Sequence, residues 1–235
     1  METRYRNGDL IPIVTDDTEW SALITGARCS YNNDESNAVT TVSIAPAGWH
    51  VPTQADAIAL GNHFGAYPWN NAGGYLKESG LLHWTTPNVG ADNSSGFNGR
   101  GSGIRQDGVY VNKKIVAQFY TSTLTTTGAY VFFLSNINAQ LGVGWYNSST
   151  EQLTKTTGFS IRLIKDDSTD PGTLTDIDGN VYQTVKIGNQ VWTASNWKCT
   201  KYNDGTAIPN VTDNAAWAAL TTGAWCVYDN DINNK

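Results

Sequence analysis

The sequence predicts an α+β fold: a few short helices packed on a twisted, mostly antiparallel sheet with long loops. Three observations carry that expectation. Runs such as VYQTVKI (181–187) and QVWTAS (190–195) alternate apolar and polar residues with the two-residue period of strands. Short helical stretches open on Asp or Thr caps. Charged residues make up only 15%, while Gly, Asn, Thr and Ser abound, a balance suited to turn-rich β structure with Asn and Gly at positive φ.

The elements follow in order. Asp16 caps a first helix, with Glu19 at its third position and Trp20 and Leu23 on one face. Thr53 caps a second, TQADAIALGNHF, with Ile58, Leu60 and Phe64 as its apolar positions. After Phe97 the chain is Gly- and Thr-rich, with β-runs AYVFFL (129–134) and FSIRLI (159–164). Residues 163–180, LIKDDSTDPGTLTDIDGN, have the Ser/Asp/Pro/Gly composition of a linker. VYQTVKI and QVWTAS then form a hairpin around Gly188-Asn189, with Asp178-Gly179 just before it. Asp213 caps a last helix whose inner positions are Trp217 and Leu220.

The chain also repeats itself. TRYRNGDLIPIVTDDTEWSALITGARCSYNND, from Thr3, reappears as TKYNDGTAIPNVTDNAAWAALTTGAWCVYDND, from Thr200, at a constant offset of 197 residues. Tyr5, Gly8, Pro12, Trp20 and Cys29 match Tyr202, Gly205, Pro209, Trp217 and Cys226. An offset of this size marks a duplicated domain, not a solenoid. The expected organisation is a nearly whole unit at 1–166, a linker at 167–173, and the opening half of a second unit at 174–235. Unit one lacks an opening hairpin, and residues 174–197 are the segment it lacks. That hairpin is expected to complete a sheet, either within the same chain as a permuted closure or in a neighbour by strand donation.

A net charge of -6 argues against nucleic-acid or anionic-membrane partners. No apolar run reaches the 18 residues of a membrane span. METRYRNGDL lacks the apolar core of a signal peptide. Because Met1 aligns with Lys198, inside the repeat, the true start of the polypeptide is left open. Of the three cysteines, Cys29 and Cys226 are one position met twice. Cys199 and Cys226 could pair, but buried free thiols are favoured.

Several segments together resemble a known family. APAGWHVPTQADAIAL (45–60), GYLKESG (74–80), HWTTPNVGADNSSGF (83–97), YTST (120–123) and GFSIRLIKD (158–166) follow, in order, the landmarks of the Fibrobacter succinogenes major paralogous domain. DIDGNVYQTVKIGNQVWTASNW (176–197), continuing through KYNDGTAIP and VTDNAAW, looks like the opening half of that domain. The resemblance implies a C-type-lectin-like fold, shared with formylglycine-generating enzymes. It also implies exported proteins and lipoproteins of gut-type bacteria, with tandem copies, and related modules in phage genomes. FNGRGSGIR stands where the family usually has a Leu-Pro-Gly-Gly element, Ile164 replaces a common apolar or Cys site, and the segment after Asp34 is shortened.

Chemistry-bearing motifs are few. His50, His63 and His83 share no metal-type spacing, so packing of His50 against Trp49 is favoured over a metal or catalytic role. Asp176, Asp178 and Asn180 mimic the start of a calcium loop, but no twelfth-position glutamate follows and a tight hairpin accounts for them. Asp229 and Asp231, with Asn233, are weak calcium candidates and match Asn32, Asp34 and Ser36. Ser122 and Ser160 have no base nearby in sequence, and no cysteine lies between Cys29 and Cys199 to support formylglycine chemistry. Nine Trp and eleven Tyr are the suggestive surplus, since such rings serve glycan or protein recognition. Tyr110, Phe119, Tyr120, Tyr130, Trp145 and Tyr146, in the loop-rich closing half, are the ligand-binding candidates.

The expected function is therefore a non-catalytic surface-displayed binding or adhesion module. Its ligand is a glycan or a protein, and its source a tandem-repeat bacterial envelope protein, extracellular or at the cell surface. The alternative is a structural building block of a phage virion or other surface assembly. Neighbouring repeats or subunits are the expected partners, joined by strand complementation.

Overall fold

The computed structural model describes residues 43–106, 108–124, 129–144, 157–167 and 169–234. The chain divides into two units, residues 1–43 and 44–235, and every element below belongs to the second. The Asp16 helix, Trp145 and Tyr146 lie outside the described residues.

In order, the elements are strand β1 (Trp49–His50), helix α1 (Gln54–His63), helix α2 (Ala72–Leu76), and strands β2 (Ile104–Gln106), β3 (Val109–Val111), β4 (Val116–Leu124), β5 (Ala129–Ser135) and β6 (Gly142–Gly144). Strands β7 (Ile164–Lys165), β8 (Thr173–Thr175), β9 (Val181–Ile187) and β10 (Gln190–Thr193) follow, then helix α3 (Asn214–Ala218). Every named strand pair is antiparallel. The α+β reading with few short helices holds.

Local chemistry sets the elements. Thr53 caps α1 through a capping box in which its hydroxyl accepts from the Asp56 N–H while the Asp56 carboxylate accepts from the Thr53 N–H. Ala57, Leu60 and Gly61 form the buried face of α1. Ile58 does not belong to that face. It lies one residue from the i, i+3, i+4 stripe and is 37% exposed. The β9–β10 turn uses Gly188 at φ 59°, a left-handed conformation that Gly adopts without cost.

Among the described residues there are three sheets: β4-β5-β6, the β2-β3 pair, and a five-stranded sheet in the order β1-β7-β10-β9-β8. FSIRLI was expected as one strand, but it is shared between two sheets. Its first half runs beside β4, where the Tyr120 N–H donates to the Ser160 carbonyl and the Ser160 N–H to Gln118. Its end, β7, sits between β1 and β10, with His50 and Trp192 on either side of Ile164. The hairpin β9–β10 thus pairs within its own chain to a strand that precedes the linker.

The core lies where these sheets meet the helices. Leu60, Leu76, Trp84, Phe97, Phe119, Phe132, Ile164 and Trp192 are buried in one cluster. Phe97 meets Phe119, Phe132 and Trp192 edge-on at centroid distances of 5.6, 6.3 and 5.8 Å, the geometry favoured by ring quadrupoles. A second cluster joins Ala45 and Leu163 to Leu174 and Tyr182 of the hairpin region. In a chain poor in charge, three cations are nevertheless buried among the described residues: Lys77, Arg105 and Arg162. Lys77 Nζ donates to the carbonyls of Val89, Ser135 and Asn138 at 2.7–2.8 Å, pinning the loop at Val89 to the end of β5 and the turn after it. Arg162 donates to the Phe97, Asn98 and Thr193 carbonyls and to Asn196 Oδ1. It therefore ties the 97–98 loop to the end of β10.

Candidate functional site

The residues that gather most closely around one feature are those that seat residues 200–234. Arg105, on β2, is buried. Its backbone exchanges two hydrogen bonds with Gly158, so its side chain is aimed by the sheet rather than by a loop. The guanidinium donates to the Val211 carbonyl at 2.6 Å, to the Thr212 carbonyl at 2.9 Å and to Asn214 Oδ1 at 2.9 Å. It lies between two rings, 4.3 Å from the Trp217 centroid and 4.9 Å from that of Tyr110. A buried cation is stable only when its donors are satisfied, and here carbonyls and ring faces do that.

β3 extends the seat. The Tyr110 hydroxyl donates to Asn230 Oδ1 at 2.7 Å, and its ring lies 5.2 Å from that of Tyr228. Burial, reinforced by the neighbouring Cys226 thiol, raises the pKa of that hydroxyl. Lys113 donates to Asn234 and lies 5.1 Å from the Tyr228 ring. Glycine makes the close approach possible. A Cβ at Gly158 would come within 3.0 Å of Trp217, and one at Gly108 within 2.8 Å of Asn214 Cβ. The seated segment is self-capped, since Asp213 accepts from the Ala216 N–H and starts α3.

The sequence-derived candidates fall into different places. Tyr110 is part of this seat. Tyr120 packs on Phe159 at 5.9 Å, and burial raises the pKa of its hydroxyl. Phe119 is in the core, stacked on Phe132. The Tyr130 carbonyl accepts from the Thr121 hydroxyl across the β4–β5 pair. Asp231 accepts from the Asn233 backbone and side chain, and exposed Asp229 has φ 54° in the same turn. Among the described residues no group of three His, Cys, Asp or Glu side chains is placed to hold a metal. Asp176 is a turn anchor, accepting from the N–H groups of Asp178 and Asn180 and from the Tyr182 hydroxyl. Asp178 receives the Thr200 N–H and hydroxyl and faces Lys201, contacts that hold its carboxyl below the usual range.

His50, His83, Ser122 and Ser160 make polar contacts within the fold, and His50 pairs with carboxylates rather than with Trp49 as expected. His50 Nδ1 meets Asp166 at 2.6 Å and Nε2 meets Asp56 at 3.3 Å, joining β1 to the α1 capping box. His83 pairs with Glu78, which also takes Arg100. Ser122 Oγ donates to the Val51 carbonyl, and Ser160 Oγ to Ser102. Cys199 and Cys226 are free thiols. A hollow of about 200 Å³ by Pro46, Trp197, Cys199 and Tyr202 is smaller than the roughly 300–1,000 Å³ of small-molecule sites.

Arg105 was absent from the sequence-derived candidates. A lone cation in a Gly-rich apolar stretch, GSGIRQ, was the available signal, as was Arg162 within FSIRLI.

A model of the Fibrobacter succinogenes major domain matches residues 1–165. The chain belongs to that family. No curated protein and no solved structure matches it. Among the described residues no helix is long and apolar enough to cross a membrane.

Proposed function

We propose that this chain is a non-catalytic module of a repeat-built surface assembly, in which the hairpin that opens one repeat completes the sheet of the repeat before it. One observation carries this reading. Residues 174–197 look in sequence like the start of a second unit, yet their partners lie before the linker. Trp192 is buried against Phe97 and Phe132, and Arg162 donates to Thr193 and Asn196. Repeats joined this way interlock, and do not merely follow one another along the chain.

Display of a glycan or protein ligand at the cell surface, in a tandem-repeat envelope protein, is the binding side of the same proposal. Acidic, aromatic-rich composition and the absence of a catalytic set among the described residues support it. We further propose a C-type-lectin-like arrangement, supported by short helices on antiparallel strands with long loops between them. A virion building block is the second reading, favoured by the same interlocking.

A protease site placed at Asp170-Pro171 in the linker tests the proposal. After cleavage of the folded chain, the piece carrying residues 174–235 should co-elute with the rest in native buffer and leave only in denaturant. Pieces that separate on cleavage would remove the interlocking reading. A glycan array, with and without calcium, tests display. A signal lost in Trp145→Ala or Tyr146→Ala would support a glycan ligand, whereas a blank array with interlocked pieces would favour the building block.

A further inference from the structure

The seat formed by Arg105, Tyr110 and Lys113 is occupied by a segment that the chain carries twice. Each occupant group that touches it has a counterpart 197 residues upstream. Val211 and Thr212, whose carbonyls accept from Arg105, match Val14 and Thr15. Trp217, on the guanidinium, matches Trp20. Tyr228, beside Tyr110, matches Tyr31. Asn230 and Asn234, which accept from Tyr110 and Lys113, match Asn33 and Asn37. Among exposed positions, Ala215, Ala216 and Ile232 stand opposite Thr18, Glu19 and Glu35, while Asp213, Ala219, Thr222 and Asp231 keep Asp16, Ala22, Thr25 and Asp34. The upstream copy therefore carries the same side chains at Trp20, Tyr31, Asn33 and Asn37 that make the side-chain contacts of the resident segment.

The one contact group that changes would strengthen the fit. Asn214 Oδ1 accepts from Arg105 Nη2, and its counterpart is Asp17. A carboxylate there gives a charge-assisted bond to a buried guanidinium, roughly twice as strong as a neutral one.

We propose that the Arg105 seat binds residues 3–37 of a second copy of this chain in exchange for its own residues 200–234, linking chains head to tail. This rests on the interlocking reading above and names its second ligand. Among the described residues there is one such seat, and residues 1–235 hold two segments that match it, so we assign the second to a neighbour. The tethered segment has an effective concentration on the order of millimolar. The incoming one has the Asp17 carboxylate. Exchange therefore grows with chain concentration and is greatest where copies are crowded side by side.

A photoreactive benzophenone amino acid replacing Tyr110 in the full chain, with exposed Val109 as a second probe position, reports the occupant. Isotopically heavy and light chains are mixed over a range of concentrations, irradiated, digested and mapped by mass spectrometry. Beside residues 200–234, the probe should capture residues 3–37 in mixed heavy–light pairs, in a share that rises with concentration. Trp217→Ala, which weakens the resident segment, should raise that share several-fold. Trp20→Ala, which leaves seat and resident intact, should abolish it, and Asp17→Asn should lower it by up to about tenfold. Capture of residues 200–234 alone at every concentration, in Trp217→Ala as well, would overturn the proposal. So would capture of residues 3–37 only in unmixed pairs. The Trp20 and Asp17 arms decide if Trp217→Ala does not fold. Linker cleavage reports whether the piece carrying residues 174–235 stays with the rest, whereas the crosslink reports which copy fills the seat, so the two proposals fail separately.

Discussion

Buried Lys77 and Arg162 act as clasps that tie loop backbone to the ends of strands. Arg162 is fully buried, and burial pushes its pKa down to about 9, which leaves it charged at neutral pH. Its donors satisfy three carbonyls from two separate segments. Arg162→Met would keep the apolar stem and leave those carbonyls unpaired, so a loss of about 3 kcal/mol or more is expected in urea unfolding. His50 makes the opposite kind of site, half-exposed and tunable. Its hydrogen bond to Asp56 raises its pKa against the opposing effect of burial, and Asp166 adds to the rise. A His pKa raised by folding stabilises the protein fully below its unfolded value near 6.5, and that contribution fades as pH rises through the folded value. Asp56 mirrors it. Burial alone would raise its pKa, but hydrogen bonds from His50 and Thr53 hold it at about 2. Its contribution is present above the ordinary carboxylate range and is lost as pH falls from about 4 towards 2. The melting temperature should therefore drop on either side of weakly acidic pH. His50→Gln should flatten the alkaline limb, as differential scanning calorimetry across pH will record.

Elements whose cause is local were legible in the sequence. The Thr53 cap, the Gly188-Asn189 turn and the Asp213 cap each need only a few neighbouring residues. FSIRLI misled because its alternation is real but its two ends serve different sheets, a fact set by β4 and β10 rather than by its own residues. The seat was illegible for a similar reason: Arg105 meets Val211 across 106 residues of sequence, and nothing near Arg105 marks that distance. Packing decides the strength of these elements. Trp192 is fully buried on β10, so Trp192→Ala should cost about 3–5 kcal/mol and shift the urea midpoint accordingly. Gly73 on α2 is tighter still. A Cβ there would be driven into the Gln140 carbonyl, which is backbone and cannot swing aside. Gly73→Ala should therefore destabilise by about 1–3 kcal/mol despite the better helix propensity of Ala, and thermal unfolding followed by circular dichroism measures it.

At the scale of the whole molecule, connectivity and architecture separate. Asn234 is the counterpart of Asn37, and residues 38–43 lead from Asn37 to Ile44. The order hairpin, seated segment, then residues 44–165 is therefore the order that one uninterrupted repeat would have. A rearranged chain, residues 174–234 followed directly by residues 38–166, keeps the pairings of the sheet apart from Thr173–Gln183 at its β8 edge. What it keeps includes the Trp192–Ile164 pairing, the Arg162 clasp and the Arg105 seat. It loses the linker and the upstream copy, and its new connection is also short. Loop-closure entropy changes only slowly with length, about 0.6 kcal/mol per doubling, so the exchange of one short loop for another is nearly neutral. The rearranged chain should unfold cooperatively within about 1 kcal/mol of the parent, with the same near-ultraviolet dichroism from its buried Trp and Phe rings. A molten or unfolded product would mean that residues 1–37 make a contribution to the fold that their downstream copy cannot replace. A native-like product would make the order of the segments a matter of where the chain is cut, with the sheet as the invariant.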